Sequence, residues 1–229
     1  MLRPHDAIPL CVVPEETTVS EPYPKIDTAF ERDEAFKVDP TKLRRPVVAS
    51  IATWRASEKV DGTNIRIYFA RDEVPRIAGR TDNAQLHPGL LDHARRVADE
   101  IEPEVGAIRS EFCLPSLTLY GEGYGAKIQS GGAYRPDQGF ILFDVLAGNR
   151  WLGFDQVVAT GHRLGIPVVP DLGEMAWGEA VDLARGGFES RCSMQPCPAE
   201  GLVLRTLEPL YDNRDQRIIV KLKTKDFLR

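Results

Sequence analysis

The sequence predicts an α+β fold, in which short and mostly antiparallel strands carry helices on their outer faces. Three observations predict it. Residues 64–69 alternate and are rich in β-branched side chains, as in a strand, whereas residues 90–101 repeat apolar side chains at helical spacing. Further short apolar segments follow without the regular strand–helix alternation of a parallel sheet. Hydrophobic residues make up 42% of the chain, which is enough for a buried core.

The other elements are predicted in order along the chain. Residues 1–40 are acidic and rich in proline, which indicates an extended lead-in with one short strand near residues 23–26, ahead of a single domain over residues 41–229. Helices are predicted from Pro88 to residue 101, from a cap at Asp155 to Gly165, and over residues 176–185. The remaining strands are predicted at residues 74–78, 117–120, 140–146, 201–205 and 217–222. A glycine-rich loop is predicted after residue 120.

Charge and hydropathy exclude two classes of protein. The net charge of −5 excludes a surface that is basic throughout, although a local basic groove remains compatible with it. No apolar segment approaches the ~20 residues of a membrane span, and the N-terminus lacks the features of a secretion signal. The cysteines lie at no recognised metal-binding spacing, which favours reduced thiols and a cytoplasmic location over structural zinc; they are Cys11, Cys113, Cys192 and Cys197.

The segment from Glu58 to Asn64 is the first candidate for chemistry. Its Lys-x-Asp-Gly core is common by chance, and Asp-Gly alone is typical of a hairpin turn. The order of the segments downstream gives it more weight. They are a glutamate between glycines at Glu122, an aromatic strand with Phe140 and Phe143, a glutamate at a strand entry at Glu200, and two lysines on one strand face, Lys221 and Lys223. Each taken alone also fits a loop, a core strand or a solvated edge.

In this order the five segments resemble the motif set of the covalent nucleotidyltransferases, which include ATP-dependent DNA ligases, RNA ligases and mRNA capping enzymes. The resemblance extends over residues 58–223. It is closer to small phage and bacterial RNA ligases, because Asn64 stands where DNA ligases usually carry arginine. Residues 121–134 and 221–227 are similar to the same branch, as are the lead-in at residues 23–26 and the arginine-bearing segment around Arg80.

The resemblance implies a ligase adenylation-domain fold and three phosphoryl-transfer steps. An amine attacks the α-phosphorus of ATP and expels pyrophosphate, the AMP passes to a 5′-phosphate, and a 3′-hydroxyl then displaces AMP. The implied cofactors are ATP and Mg²⁺ or Mn²⁺. The implied partner is RNA or an RNA-containing nicked duplex, with room for a separate protein that prepares the ends.

The resemblance also implies a role for each candidate residue. Lys59 would be the nucleophile, while Lys221 and Lys223 would hold the α-phosphate and disfavour a further positive charge on Lys59. Glu200 would face a divalent metal through water.

The other candidates would bind the nucleotide or the strand. Glu122 would bond the ribose hydroxyls, and Phe143, with Phe140 as the fallback, would stack on adenine. Arg80 would contact phosphate, Asn64 the ribose or the terminal nucleotide, and Glu58 would offer backbone or carboxylate contacts.

Most members of the superfamily carry another domain after the last motif, which is an OB-fold in DNA ligases and capping enzymes. The motifs here end shortly before Arg229, so the expected fold has no C-terminal OB-fold. Two alternatives stay open. One is a minimal ATP-dependent DNA ligase, and the other is a non-catalytic nucleic-acid-binding module of the same fold. The intact set of lysines and glutamates argues against the binding module.

Overall fold

The structure is a computed structural model that describes residues 21–34 and 38–227. In chain order the strands are β1 (Asp27–Thr28), β2 (Phe30–Arg32), β3 (Val38–Leu43), β4 (Trp54–Lys59), β5 (Thr63–Ala70), β6 (Arg76–Gly79), β7 (Ser116–Gly125), β8 (Gln138–Ala147), β9 (Arg150–Trp151), β10 (Asp171–Met175), β11 (Gly201–Arg205) and β12 (Ile219–Lys223). The α-helices are α1 (Pro88–Glu111), α2 (Phe154–Leu164) and α3 (Trp177–Gly186).

Two five-stranded sheets organise these elements. The first has the spatial order β1-β12-β11-β4-β10 and the second the order β6-β5-β7-β8-β9, while β2 and β3 form a separate pair. Strand β1 runs parallel to β12, and the other strand pairs are antiparallel. This arrangement confirms the predicted α+β class. No helix in the described ranges is long and apolar enough to cross a membrane.

Each sheet buries one face in its own apolar core. The second sheet packs side chains such as Ile65 and Leu119 against Leu90 and Ala94 of α1. The first sheet packs alternate residues of β4, β11 and β12 against α3, including Trp54, Ala56, Leu202, Leu204, Val220 and Leu222. Since side chains alternate along a strand, the other residues of these strands face away from the cores. Those outward faces supply the two walls of the pocket described below.

The prediction of a glycine-rich loop after residue 120 is wrong, because β7 continues as a strand to Gly125. Glycine disfavours strands locally, but here it lets other groups approach the backbone. A Cβ on Gly121 would lie 2.3 Å from the ring of Phe140, and one on Gly123 would lie 2.6 Å from Leu90. Close packing therefore requires Gly121, where the carbonyl oxygen of Ile141 also lies 2.6 Å away, and favours Gly123, so Glu122 is held between them on β7.

Several boundaries also differ from the sequence-based predictions. Helix α1 continues past residue 101 to Glu111, through Pro103. Helix α2 is capped at Gly153 rather than at Asp155, which lies in the first turn; Gly165 closes the helix as predicted, with φ 67°. Residues 23–26 form no strand, and pairing starts at Asp27. Residues 1–20 and 35–37 of the predicted lead-in, with Cys11, lie outside the described residues.

Candidate active site

The outward face of the first sheet presents three rows of residues across β4, β11 and β12. Strand register defines the rows: Lys59, Gly201 and Lys223 form the first, Ser57, Val203 and Lys221 the second, and Arg55, Arg205 and Ile219 the third. Period-two alternation puts the three lysines on one face. The first two rows therefore gather three ammonium groups at one end of the sheet.

The glycine in the middle of the first row leaves space for a carboxylate between two lysines. Glu200 accepts a hydrogen bond from the Lys59 ammonium, and its other oxygen lies 2.5 Å from Lys223 Nζ. Gly201 has φ +151°, and a Cβ there would lie 2.0 Å from the carbonyl oxygen of Leu222. No other residue fits this position without moving β12, so the row depends on the glycine.

The charged groups in these rows shift the pKa values of Glu200 and Lys221. Burial alone would raise the pKa of Glu200, but the ammonium groups of Lys59 and Lys223 outweigh it and hold that pKa below its ordinary value. Burial, together with the neighbouring Lys223 and Lys59, lowers the pKa of Lys221 to about 8. A phosphate placed here would relieve the repulsion among these cations.

The opposite wall comes from the second sheet, where Asn64 of β5 and Glu122 of β7 are register partners. Burial raises the pKa of Glu122 to about 8; the Lys59 ammonium opposes this shift, and the Glu200 carboxylate adds to it. The Asn64 Oδ1 atom is buried without a hydrogen-bond partner. Both side chains line the pocket, so they offer polar groups to a ligand between the sheets.

The pocket between the sheets has a volume of about 200 Å³ and an apolar end lined by Phe143, Val169 and Val203. Phe143 has no register partner on β7, because the pairing passes from Asp144 to Leu142 through a bulge. Bulges often aim a side chain toward a site. Phe140 is only 2% exposed and lies in the core, so Phe143 is the aromatic that a planar ligand would meet.

Tyr23 brings the lead-in into the same pocket, which sequence reasoning did not assign. Its hydroxyl donates to Asp144 Oδ2 at 2.7 Å, and its ring meets the edge of Phe143 with a centroid distance of 5.0 Å. Arg217 Nη1 donates to the same carboxylate oxygen at 2.8 Å. The similarity of residues 23–26 to small RNA ligases was the signal that could have identified Tyr23.

The structure brings all nine candidate residues together. Seven line the pocket, namely Glu58, Lys59, Asn64, Arg80, Glu122, Phe143 and Lys221, while Glu200 and Lys223 join through the ion pairs. For Glu58 the structure favours the backbone alternative, because its buried carboxylate accepts hydrogen bonds from Ser190 Oγ at 2.5 Å and Arg191 N at 2.8 Å. Its carboxylate is therefore occupied within the protein, and its backbone is what remains for a ligand.

The donor set fits a metal that arrives with a nucleotide. Within residues 21–34 and 38–227, no group of three or more His, Cys, Asp or Glu side chains could hold a metal ion. Mg²⁺ usually binds through one or two carboxylates, substrate phosphates and water. Glu200, whose oxygens contact Lys59 and Lys223 in the absence of nucleotide, is the carboxylate that would take this role.

The pocket combines lysines at one end, a buried glutamate on the opposite wall and apolar side chains beside Phe143, which is the arrangement expected of a covalent nucleotidyltransferase. The family model for RNA ligase matches residues 52–223, and the chain belongs to the RNA ligase family. No curated protein matches it in sequence.

Solved structures support the fold assignment. A lysine-to-alanine variant of a Naegleria gruberi RNA ligase, with ATP and Mn, superposes with a TM-score of 0.59 at 18% identity, over 90% of this chain and 62% of that one. A lysine-to-methionine variant with AMP and Mn gives 0.59 at 18% identity, over 91% and 63%. The same ligase with pyrophosphate gives 0.55 at 18% identity, over 90% and 62%. The chain thus spans less than two thirds of the length of these proteins.

Proposed function

We propose that the protein is an ATP-dependent RNA ligase that seals 5′-phosphate and 3′-hydroxyl ends through a lysyl-AMP intermediate on Lys59. The observation that carries this proposal is the first row of the sheet. It places the Glu200 carboxylate between the amines of Lys59 and Lys223, beside the pocket between the sheets. The Naegleria relatives bound to ATP and Mn or to AMP and Mn support the choice of nucleotide and metal.

In the first step, the Lys59 amine attacks the α-phosphorus of ATP. The new N–P bond forms as the bond from phosphorus to the bridging oxygen breaks, and pyrophosphate leaves with that electron pair. Lys59 must first lose a proton, because only the neutral amine has the lone pair that attacks phosphorus. Glu200, which accepts a hydrogen bond from the Lys59 ammonium, is the group placed to receive that proton. The positive charges of Lys221 and Lys223 neutralise charge on the phosphate. A divalent ion bound with the nucleotide would supply further charge neutralisation.

The nucleotide is placed by the rest of the pocket. Phe143 and Val203 lie on opposite sheets and would enclose the base, while Glu122 would accept hydrogen bonds from the ribose hydroxyls. Arg80 and Asn64 line the same pocket and would meet the adenylylated 5′ end in the two later steps. An RNA-containing nick is the substrate that we propose, with end preparation left to a separate protein.

Label transfer from [α-³²P]ATP tests the first step. The protein should form an acid-labile, alkali-stable adduct, and Lys59→Ala should abolish it with the fold intact. Lys42→Ala removes an exposed lysine on β3 and serves as the matched control. A full yield of adduct in Lys59→Ala would refute the assignment, and no adduct in any variant would favour a binding module.

A panel of RNA, DNA and hybrid nicks tests the substrate. We expect faster sealing when ribonucleotides lie on the 3′-hydroxyl side, because the 2′-hydroxyl distinguishes RNA from DNA at a site. The sugar on the 5′-phosphate side should matter less. Equal rates on all-DNA and RNA-ended nicks would favour the DNA ligase alternative.

A further inference from the structure

Arg205 is a buried arginine, and two of its three guanidinium nitrogens have no hydrogen-bond partner in the described part of the chain. The residue is 5% exposed, and its Nε and Nη1 atoms are buried without hydrogen bonds. The carboxylate that most stabilises its positive charge is that of Asp144, which already accepts hydrogen bonds from Tyr23 and Arg217. Burial lowers the pKa of Arg205, as expected for a cation without adequate compensation.

Such a group is costly unless something completes its hydrogen bonds. A buried polar group without a partner is strongly disfavoured, and a buried charge more so. The guanidinium lies over the ring of Phe154 at 4.6 Å, which covers one of its faces. Its in-plane N–H groups gain nothing from that contact. They can therefore be satisfied by a ligand in the pocket that Arg205 lines.

The position of Arg205 in the sheet identifies which part of a nucleotide it would meet. It lies in the third row, one row beyond Val203 and two rows beyond Lys59 and Lys223. In the proposed complex the phosphates lie at the lysines, of which Lys59 and Lys223 are farthest from Arg205, and the base packs against Val203. The third row therefore faces the edge of the base that is farthest from the phosphates. Ser57 gives an independent sign of a polar ligand here, since its Oγ is also buried without a partner and lines the same pocket.

We propose that Arg205 selects adenine by donating a hydrogen bond to the ring nitrogen N1 of the base. This inference rests on the proposed function and adds to it the group that determines base specificity. In a purine, N1 lies on the edge opposite the bond to ribose. Adenine N1 is an acceptor, whereas guanine carries a proton there. Arginine only donates, so it satisfies adenine and opposes guanine. The Ser57 hydroxyl can accept from the adjacent exocyclic amine of adenine.

The experiment compares adenylylation by ATP and by 1-deaza-ATP, in which N1 is replaced by C–H. For the wild-type protein we expect kcat/KM to fall about tenfold to a hundredfold with the analogue, as for the loss of a hydrogen bond to a charged donor. In Arg205→Met the two nucleotides should be used equally, because the partner of N1 is already gone. Discrimination against GTP should also decrease in Arg205→Met. Arg95→Met, which alters an exposed arginine of α1, should keep the wild-type ratios.

The outcomes separate this inference from the proposed function. If the wild-type protein forms an adduct from ATP and uses 1-deaza-ATP equally well, the inference is overturned and the function stands. This comparison needs no variant, so it decides the question even if Arg205→Met does not fold. If ATP yields no adduct at all, the proposed function and the inference both fail. An equal loss with 1-deaza-ATP in the wild type and in a folded Arg205→Met would assign N1 to another group.

Discussion

Replacing Asp144 with asparagine removes the negative charge from a buried ion pair beside the nucleotide pocket. The side chains of Asp144 and Arg217 are 1% and 9% exposed, and their N–O distance is 2.8 Å. Asp144 also accepts from Tyr23 and lies near the unpaired Arg205. The substitution keeps the volume but leaves two buried guanidinium groups without a carboxylate. Breaking a buried pair costs roughly 3–5 kcal/mol, and because the amide oxygen still accepts one hydrogen bond we expect about 3 kcal/mol.

Chemical denaturation measures this loss, and thermal unfolding should show a Tm lower by about 6–12 °C for a chain of this size. Asp182→Asn is the matched control, because it removes a carboxylate from an exposed helical pair with Arg185 and should cost less than about 1 kcal/mol. If Asp144→Asn costs no more than Asp182→Asn, the buried network does not stabilise the fold as argued.

The remaining predictions concern the lysine rows and the pocket. Binding of α,β-methylene-ATP, followed by calorimetry, should give a bell-shaped pH curve centred near pH 8. Glu122 has a pKa of about 8, so below that pH it gains a proton and no longer accepts hydrogen bonds from the ribose hydroxyls. Lys221 also has a pKa of about 8, so above that pH it loses its positive charge and binds phosphate less strongly. Glu122→Gln should flatten the acid limb and Lys221→Met the alkaline limb; an unchanged curve in both would contradict the assignment. Lys221→Ala and Lys223→Ala should each slow adduct formation, because each removes a positive charge that neutralises the α-phosphate, and parental rates in both would refute the geometry. Gly201→Ala should destabilise the protein by roughly 1–3 kcal/mol in denaturant unfolding, because the added Cβ would lie 2.0 Å from a carbonyl oxygen. The control is Gly178→Ala in α3, where the added Cβ meets open space, and it should be neutral or stabilising.

The lysines and their carboxylate could be predicted from the sequence because each lies in a local pattern. The spacing of Lys221 and Lys223 fixes their common face through strand alternation alone. The Lys-x-Asp-Gly segment and Glu200 gain their meaning from order along the chain, which is also visible in the sequence. The structure adds the register that makes Lys59 and Lys223 neighbours across Gly201.

Arg205 and Ser57 could not be found in the same way, and the only sequence signal for Tyr23 was the similarity of residues 23–26 to small RNA ligases. Arg205 and Ser57 matter because they lack partners, and a missing partner becomes visible only when the whole surrounding structure is known. Tyr23 bonds Asp144, which lies 121 residues later in the chain. The strand through Gly121 and Gly123 was missed for a related reason, since local propensity disfavours it and tertiary packing overrides that propensity.

The parallel pairing of β1 with β12 has a consequence for how the pocket is assembled in time. Thr28 pairs with Lys221, so the wall that includes Tyr23 docks onto a strand made almost two hundred residues later. We expect a contact between such distant segments to form late in folding, because closing the long loop between them costs entropy. Nucleotide that binds only the completed pocket should therefore leave the refolding rate unchanged and slow unfolding. During synthesis on the ribosome, the chain would have no nucleotide site until β12 has emerged.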